Sequence, residues 1–289
     1  RLVKIPGIYV DAVVVADPKD HQQSFDCDYD PTLSGEIRAP YDIPSQPLPM
    51  SPKKIIGRRA ALELKKDVVV NLGVGAPEYV ALIADEEGIT DRITLTVEDG
   101  AIGGIPQAGV RFGASMNPDA LLDHPTQFDF YDGGGLDMAF LGLAQCDAQG
   151  NINVSKFGSH IAGCGGFPNI TQKTQQVFFC GTFTAGGLKI RMDGQRVRII
   201  QEGKAKKFVK NVDQITFSGP FAAKQGKRVL YITERCVFEL TEEGLHLIEV
   251  APGIDVERDI LSQMDFKPII DTYKVMPLRV FSRDLMGLK

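Results

Sequence analysis

Ile56, Ala60 and Leu64 recur at helical spacing behind Ser51-Pro52, a capping side chain followed by a proline whose fixed φ suits the first helical turn, and the pattern predicts a helix over 52–66. The apolar run 68–72 reads as a strand, Gly73-Val74-Gly75-Ala76-Pro77 as a glycine turn, 78–86 as a short helix and 93–97 as a second strand, which together make a β-α-β unit. Apolar runs at 138–141 and 177–183 predict further strands, separated by the glycine-rich segments Gly133-Gly134-Gly135 and Gly163-Cys164-Gly165-Gly166. From Leu188 the pattern changes to alternation: Leu188, Ile190 and Met192 are apolar, Asp193-Gly194 turns the chain, and Val197 and Ile199 alternate with Arg196 and Arg198. That is a hairpin with one wet face. A second hairpin is expected from one run over 229–240, a turn at 241–244 and a return over 245–250, with a helix over 255–264 closing the domain. Strands alternating with helices predict an α/β protein: an open, mostly parallel, doubly wound sheet with antiparallel hairpins near the carboxyl terminus, binding its ligand beyond the carboxyl ends of the strands.

The first fifty residues follow another rule. Residues 12–16, Ala-Val-Val-Val-Ala, read as a buried strand, and seven of the 17 prolines then fall between Pro18 and Pro52 among Asp, Ser and Gln. Such composition suits a connector rather than a packed element. The expected organisation is a tail of an upstream domain over 1–16, a proline-rich connector over 17–50 and a carboxy-terminal domain over 51–289. The opening Arg1, with no charged-then-apolar leader behind it, implies a fragment or a processed chain.

Composition narrows the partners. A hydrophobic content of 43% supports a core, and scattered bases within a net charge of -5 argue against nucleic acid. Apolar runs fall well short of the ~20 residues that span a bilayer. Five cysteines (Cys27, Cys146, Cys164, Cys180, Cys236) without a C-x-x-C pair fit neither a disulfide framework nor a zinc site, so a reducing, cytoplasmic setting is expected. The four histidines (His21, His124, His160, His246) show no ligand spacing and read as isolated surface or core residues.

Candidate chemistry sits in two segments. Thr96-Val97-Glu98-Asp99-Gly100 carries a carboxylate out of a predicted strand into glycines, and a carboxylate there could form a covalent intermediate. On spacing alone, a strand-ending turn with two solvated acids is the simpler reading. Gly163-Cys164-Gly165-Gly166 offers backbone amides that a ligand can approach, the raw material of an oxyanion hole. Cys164 lacks a visible activating base and reads as a small residue filling a tight loop. Gly73-Val74-Gly75 reads as a packing turn, because it lacks the rest of a dinucleotide fingerprint or P-loop. Lys206-Lys207 and the bases over 224–228 read as solvated faces.

Taken together and in order, residues 51–250 resemble the second half of the family I coenzyme A (CoA) transferases. The family's Ser-Glu-Asn-Gly motif stands here as Val97-Glu98-Asp99-Gly100, followed by Ala101-Ile102-Gly103-Gly104. The departures at Val97 and Asp99 point to the single-chain acetate/propionate branch. Residues 134–143 resemble the family's Gly-Gly-x-Asp strand, 163–166 its Gly-x-Gly-Gly loop, and Tyr231-Ile232-Thr233-Glu234-Arg235 through Leu245-His246-Leu247-Ile248-Glu249 its final hairpin. The resemblance implies that Glu98 is the nucleophile of a ping-pong transfer of CoA from a short-chain acyl-CoA to a free carboxylate, through a glutamyl-CoA thioester. It also implies Gly166 as the oxyanion amide, and Gly165, Gly163 and Gly100 as substrate contacts. CoA would be substrate with no tightly bound cofactor, metal or ATP, because one thioester replaces another. The implied partners are the amino-terminal half of the same enzyme and further copies in a homo-oligomer. An acyl-CoA hydrolase on the same scaffold, and a non-catalytic metabolite-binding regulator, are the alternatives.

Overall fold

The computed structural model describes residues 3–22, 27–40, 48–107 and 109–289. Helix α1 (Pro52–Ala61) begins as its cap predicts, the Ser51 hydroxyl accepting from the Lys54 amide at 3.1 Å. It ends five residues before Lys66, because the chain must reverse through Asp67 (φ 59°) to enter the sheet. Then follow β1 (Val68–Leu72), α2 (Glu78–Glu86), β2 (Ile93–Thr96), the short β3 (Ala101–Ile102) and β4 (Ala120–Leu121), α3 (His124–Asp132), β5 (Met138–Gly142), α4 (Phe167–Lys173) and β6 (Gln176–Cys180). The predicted wet-faced hairpin is β7 (Lys189–Asp193) and β8 (Arg196–Gln201). After α5 (Gly219–Lys224) come β9 (Arg228–Ile232), β10 (Cys236–Thr241), β11 (Gly244–Val250) and β12 (Lys274–Val275).

Ten of these strands form one sheet in the order β12-β11-β10-β9-β6-β5-β1-β2-β3-β4. Its centre, β2-β1-β5-β6-β9, is parallel throughout. The flanks β3-β4 and β10-β11 are antiparallel. The chain steps from β1 outward to β2 and then returns to the other side of β1 with β5. That reversal opens a crevice at the strands' carboxyl ends, where doubly wound sheets bind their ligands. Period-two alternation divides the core. Val70, Leu72, Leu95, Phe140 and Phe178 face α1 and α2, while Leu141, Val177 and Phe179 face α3, α4 and α5.

Four expectations change. The run over 229–240 is two strands: β9 is the fifth parallel strand, and the chain reverses at Thr233-Glu234-Arg235 before β10 pairs back on it. A charged turn is tolerated there because the fully buried Arg235 Nε donates to Glu234 at 2.7 Å, and Glu234 also accepts from the Phe183 amide at 2.9 Å. Residues 12–16 form no strand, and Val13, Val14 and Val15 are 81–91% exposed, because nothing among the described residues pairs with them. The connector is partly packed. Leu33 is buried, and Asn117 exchanges two hydrogen bonds with the Ala39 backbone, at 2.9 and 3.1 Å. Its stretches 23–26 and 41–47 lie outside the described residues. Finally, the 255–264 helix is a single π turn (Val256–Ile260) capped by Asp255, followed by a 3-10 turn, and it does not close the domain. The chain continues across α1 and α2, burying Met276, Val280, Phe281 and Met286. Glu87 fastens this tail by accepting from the amides of Met286, Gly287 and Leu288. Among the described residues no helix is long and apolar enough to cross a membrane.

Candidate active site

Glu98 lies in the four-residue turn that joins β2 to β3. The Val97 carbonyl accepts from the Gly100 amide at 3.0 Å, and the Val97 amide donates to the Ala101 carbonyl at 2.9 Å. Gly100 makes this turn possible: its φ is 116°, and a Cβ there would run into the Leu122 carbonyl. Its amide serves Val97 and its carbonyl accepts from the Leu122 amide at 2.9 Å, so its observed part is to shape the turn.

Gly166 comes from the segment between β5 and β6, at the residue that opens α4. It stands against the Glu98 carboxylate, and its amide favours the ionised form of that group. A Cβ on Gly166 would collide with Glu98 Oε2 and the Phe128 ring, so only glycine permits this approach. Gly163 and Gly165 stand beside it at φ 83° and 52° with open space around them, and the Gly163 amide donates to the Ser155 carbonyl at 3.0 Å. Cys164 is exposed, so the loop around it is not the tight one expected. Gly73 does pack closely against the Leu141 backbone, as expected of a packing turn, while Gly75 (φ 92°) faces open space. Two of the basic residues read as solvated are largely buried. Lys207 Nζ donates to the Leu143 carbonyl at 2.9 Å, and Lys227 Nζ to the carbonyls of Thr171 and Gln172. Loss of water pushes both ammonium groups down to about 8.

Helix α3 forms the remaining wall, and sequence reasoning missed it. His124, Gln127, Phe128 and Tyr131 fall at i, i+3, i+4 and i+7, on one helical face. Phe128 reaches the Gly166–Glu98 contact, and the His124 ring lies 4.7 Å from the Phe128 ring. The signal was present in Asp123-His124-Pro125, a cap residue with proline in the first turn, ahead of that spacing. Three ring-bearing side chains and a glutamine in a polar stretch do not stand out as an apolar stripe.

Burial raises the Glu98 carboxyl above the usual carboxylate range, and the charge of Asp99 raises it further; the Gly166 amide and positive charge on His124 act in the opposite direction. Asp99, although largely exposed, is raised too, by the water lost on its inner side. The site therefore holds a carboxylate whose ionised form is poorly solvated, beside one backbone donor. Desolvation makes such an oxygen more nucleophilic toward an acyl carbon.

Fold and site together define an α/β protein that presents a carboxylate, backed by a backbone amide, at the carboxyl edge of a parallel sheet. No family model matches the chain. Among curated proteins it is 49% identical to the caffeate CoA-transferase of Acetobacterium woodii and 46% identical to the acetate CoA-transferase YdiF of Escherichia coli K12, in each case over 99% of this chain. It spans about half of their length, 56% and 54%. Crystal structures of the acyl-CoA transferase YdiF from Escherichia coli O157:H7, as apoenzyme and as a thioester complex with CoA, superpose with a TM-score of 0.87 at 44% identity, over 99% of this chain and 53% of theirs. The chain belongs to the family I CoA-transferases.

Proposed function

We propose that this chain is the nucleophile-bearing part of a CoA-transferase that moves CoA between a short-chain acyl-CoA and a free carboxylate of the acetate, propionate or butyrate kind. The carrying observation is the Glu98 carboxylate resting on the Gly166 amide. A Glu98 oxygen attacks the acyl-CoA carbonyl carbon, the C–S bond breaks, and CoA leaves as thiolate, giving an acyl-glutamyl anhydride. The thiolate then attacks the Glu98 carbonyl carbon, the anhydride C–O bond breaks, and the first carboxylate departs, leaving a glutamyl-CoA thioester. A second carboxylate reverses these steps and frees Glu98. No proton is gained or lost over the cycle. Each tetrahedral centre on Glu98 places its oxyanion at the Gly166 amide, a donor of the kind whose removal typically costs ~3 kcal/mol of barrier lowering. Gly163 and Gly165 leave the approach open, and Gly100 acts through the turn.

The thioester complex of the similar YdiF supports this reading. So does the presence of the whole 163–166 loop and the Glu98 turn in one chain that covers about half of its relatives. The other half, further copies of the chain and a cytoplasmic setting belong to the same proposal. Intact-mass measurement of the whole polypeptide after addition of acyl-CoA should show a CoA adduct that maps to Glu98. An adduct elsewhere, or none while transfer proceeds, would overturn it. Measuring free acid with and without acetate separates transfer from hydrolysis.

A further inference from the structure

We infer that Gln127 and Tyr131 are positioning residues that hold the Glu98 turn against the Gly166 amide, an inference that rests on Glu98 being the nucleophile. Both residues are buried at the interface between α3 and the sheet, as are Asn71 and Thr96, which lie side by side in the β1–β2 register. Gln127 Nε2 donates to the Tyr131 hydroxyl at 2.9 Å and to the Val97 carbonyl at 3.3 Å. The Tyr131 hydroxyl donates to Thr96 Oγ1 at 3.0 Å, and Thr96 donates to the Val70 carbonyl at 3.1 Å. Asn71 Nδ2 completes the set by donating to the Tyr131 oxygen at 3.2 Å.

The order of donors is forced. Tyr131 has one hydrogen, which goes to Thr96, and its two lone pairs can accept only from the amide ends of Asn71 and Gln127. Their carbonyl oxygens, Asn71 Oδ1 and Gln127 Oε1, are buried and meet no donor among the described residues. Such atoms destabilise a fold, and an apolar side chain of the same shape would avoid the loss. Nor is Gln127 needed to satisfy Val97, whose carbonyl already accepts from the Gly100 amide. What the second bond adds is restraint: it ties the peptide between Val97 and Glu98 to α3. The same helix, one residue on, sets Phe128 against Gly166 and Glu98. One rigid element thus positions both partners of the carboxylate–amide contact.

The test uses the whole enzyme with its amino-terminal half. Gln127→Met and Tyr131→Phe should each lower kcat by roughly tenfold to a hundredfold, the range expected when a reacting group is displaced by a fraction of an ångström to one ångström. KM for acyl-CoA should stay within twofold and the melting temperature should not fall in proportion. The acidic limb of the kcat–pH profile should move to higher pH, because a carboxyl drawn off the Gly166 amide keeps the burial and the Asp99 charge but loses its donor; Asp99 and His124 are untouched by either change. Unaltered kcat and pH limb in both variants, or activity that falls only with melting temperature, would overturn the inference. If Gln127→Met does not fold, Tyr131→Phe, which removes a single oxygen, carries the same expectation. Mapping the CoA adduct in the parent separates the two readings. An adduct away from Glu98 removes both, whereas an adduct on Glu98 that forms at parental rate in the variants removes only this one.

Discussion

At the scale of single residues, the raised Glu98 carboxyl has two opposite consequences. The folded-state value lies above the unfolded one, so its contribution to stability is present at acid pH, where the carboxyl is protonated, and is lost as pH rises through the folded value. Glu98→Gln should therefore raise the melting temperature at pH 7 and leave it unchanged near pH 3. Thermal unfolding at both pH values checks this, and a lower melting temperature at pH 7 would contradict it. The proposed nucleophilic role needs the ionised form, so on that reading transfer should fall on acidification at a pH above that of an ordinary glutamate. Glu98→Ala should abolish transfer with an unchanged circular dichroism spectrum, and Glu98→Asp should lose most of it by withdrawing the carboxyl one methylene from Gly166. Gly166→Val should abolish transfer as well, because the added side chain enters the space of Glu98 and Phe128. Cys164→Ala, altering an exposed thiol, should retain most activity; the reverse pattern in steady-state assays would favour a thiol nucleophile.

At the scale of elements, the strands and helices with a clear apolar period were legible: β1, α2, β2, β5 and the β7–β8 hairpin stand within a residue or two of their predicted places. The failures share a cause. The run over 229–240 looked continuous because local periodicity says nothing about a buried ion pair that lets Thr233-Glu234-Arg235 turn inside the core. Lys207 and Lys227 looked solvated because charge in a sequence carries no record of the carbonyls it will meet. Arg235→Met tests this directly. It leaves the Glu234 carboxylate fully buried without its ionic partner and should cost about 3–5 kcal/mol, read as a shift in the urea midpoint at constant slope. Glu234→Gln with Arg235→Met together should recover part of that loss, since the uncompensated charge is gone.

At the scale of the whole molecule, the ten-stranded sheet has its own two-sided core, so residues 51–289 should fold cooperatively alone. They should not transfer CoA alone. The carboxyl edge around Gly75, Gly163 and Gly165 is open, and a ligand as long as CoA needs walls on more than one side. Mixing separately purified halves and following CoA exchange between two carboxylates checks this, and full activity from 51–289 would refute it. Truncation at residue 51 also removes the contacts of Ala39 and Leu48 with Asn117 and Glu86, so a modest fall in melting temperature should accompany it.

What the sequence determined by itself was the alternation that makes a doubly wound sheet, because apolar period selects the element. Glu98 and Gly166 were singled out only by the resemblance of motif order, since on spacing alone Glu98 reads as a solvated acid in a strand-ending turn. Only the tertiary structure decided that these two residues, 68 positions apart in the chain, touch. It also decided that α3 forms the wall behind them and that the carboxyl-terminal tail is bound across α1 and α2. Those outcomes depend on which strand ends become neighbours, and neighbours in a sheet are set by long-range packing that no window of residues contains.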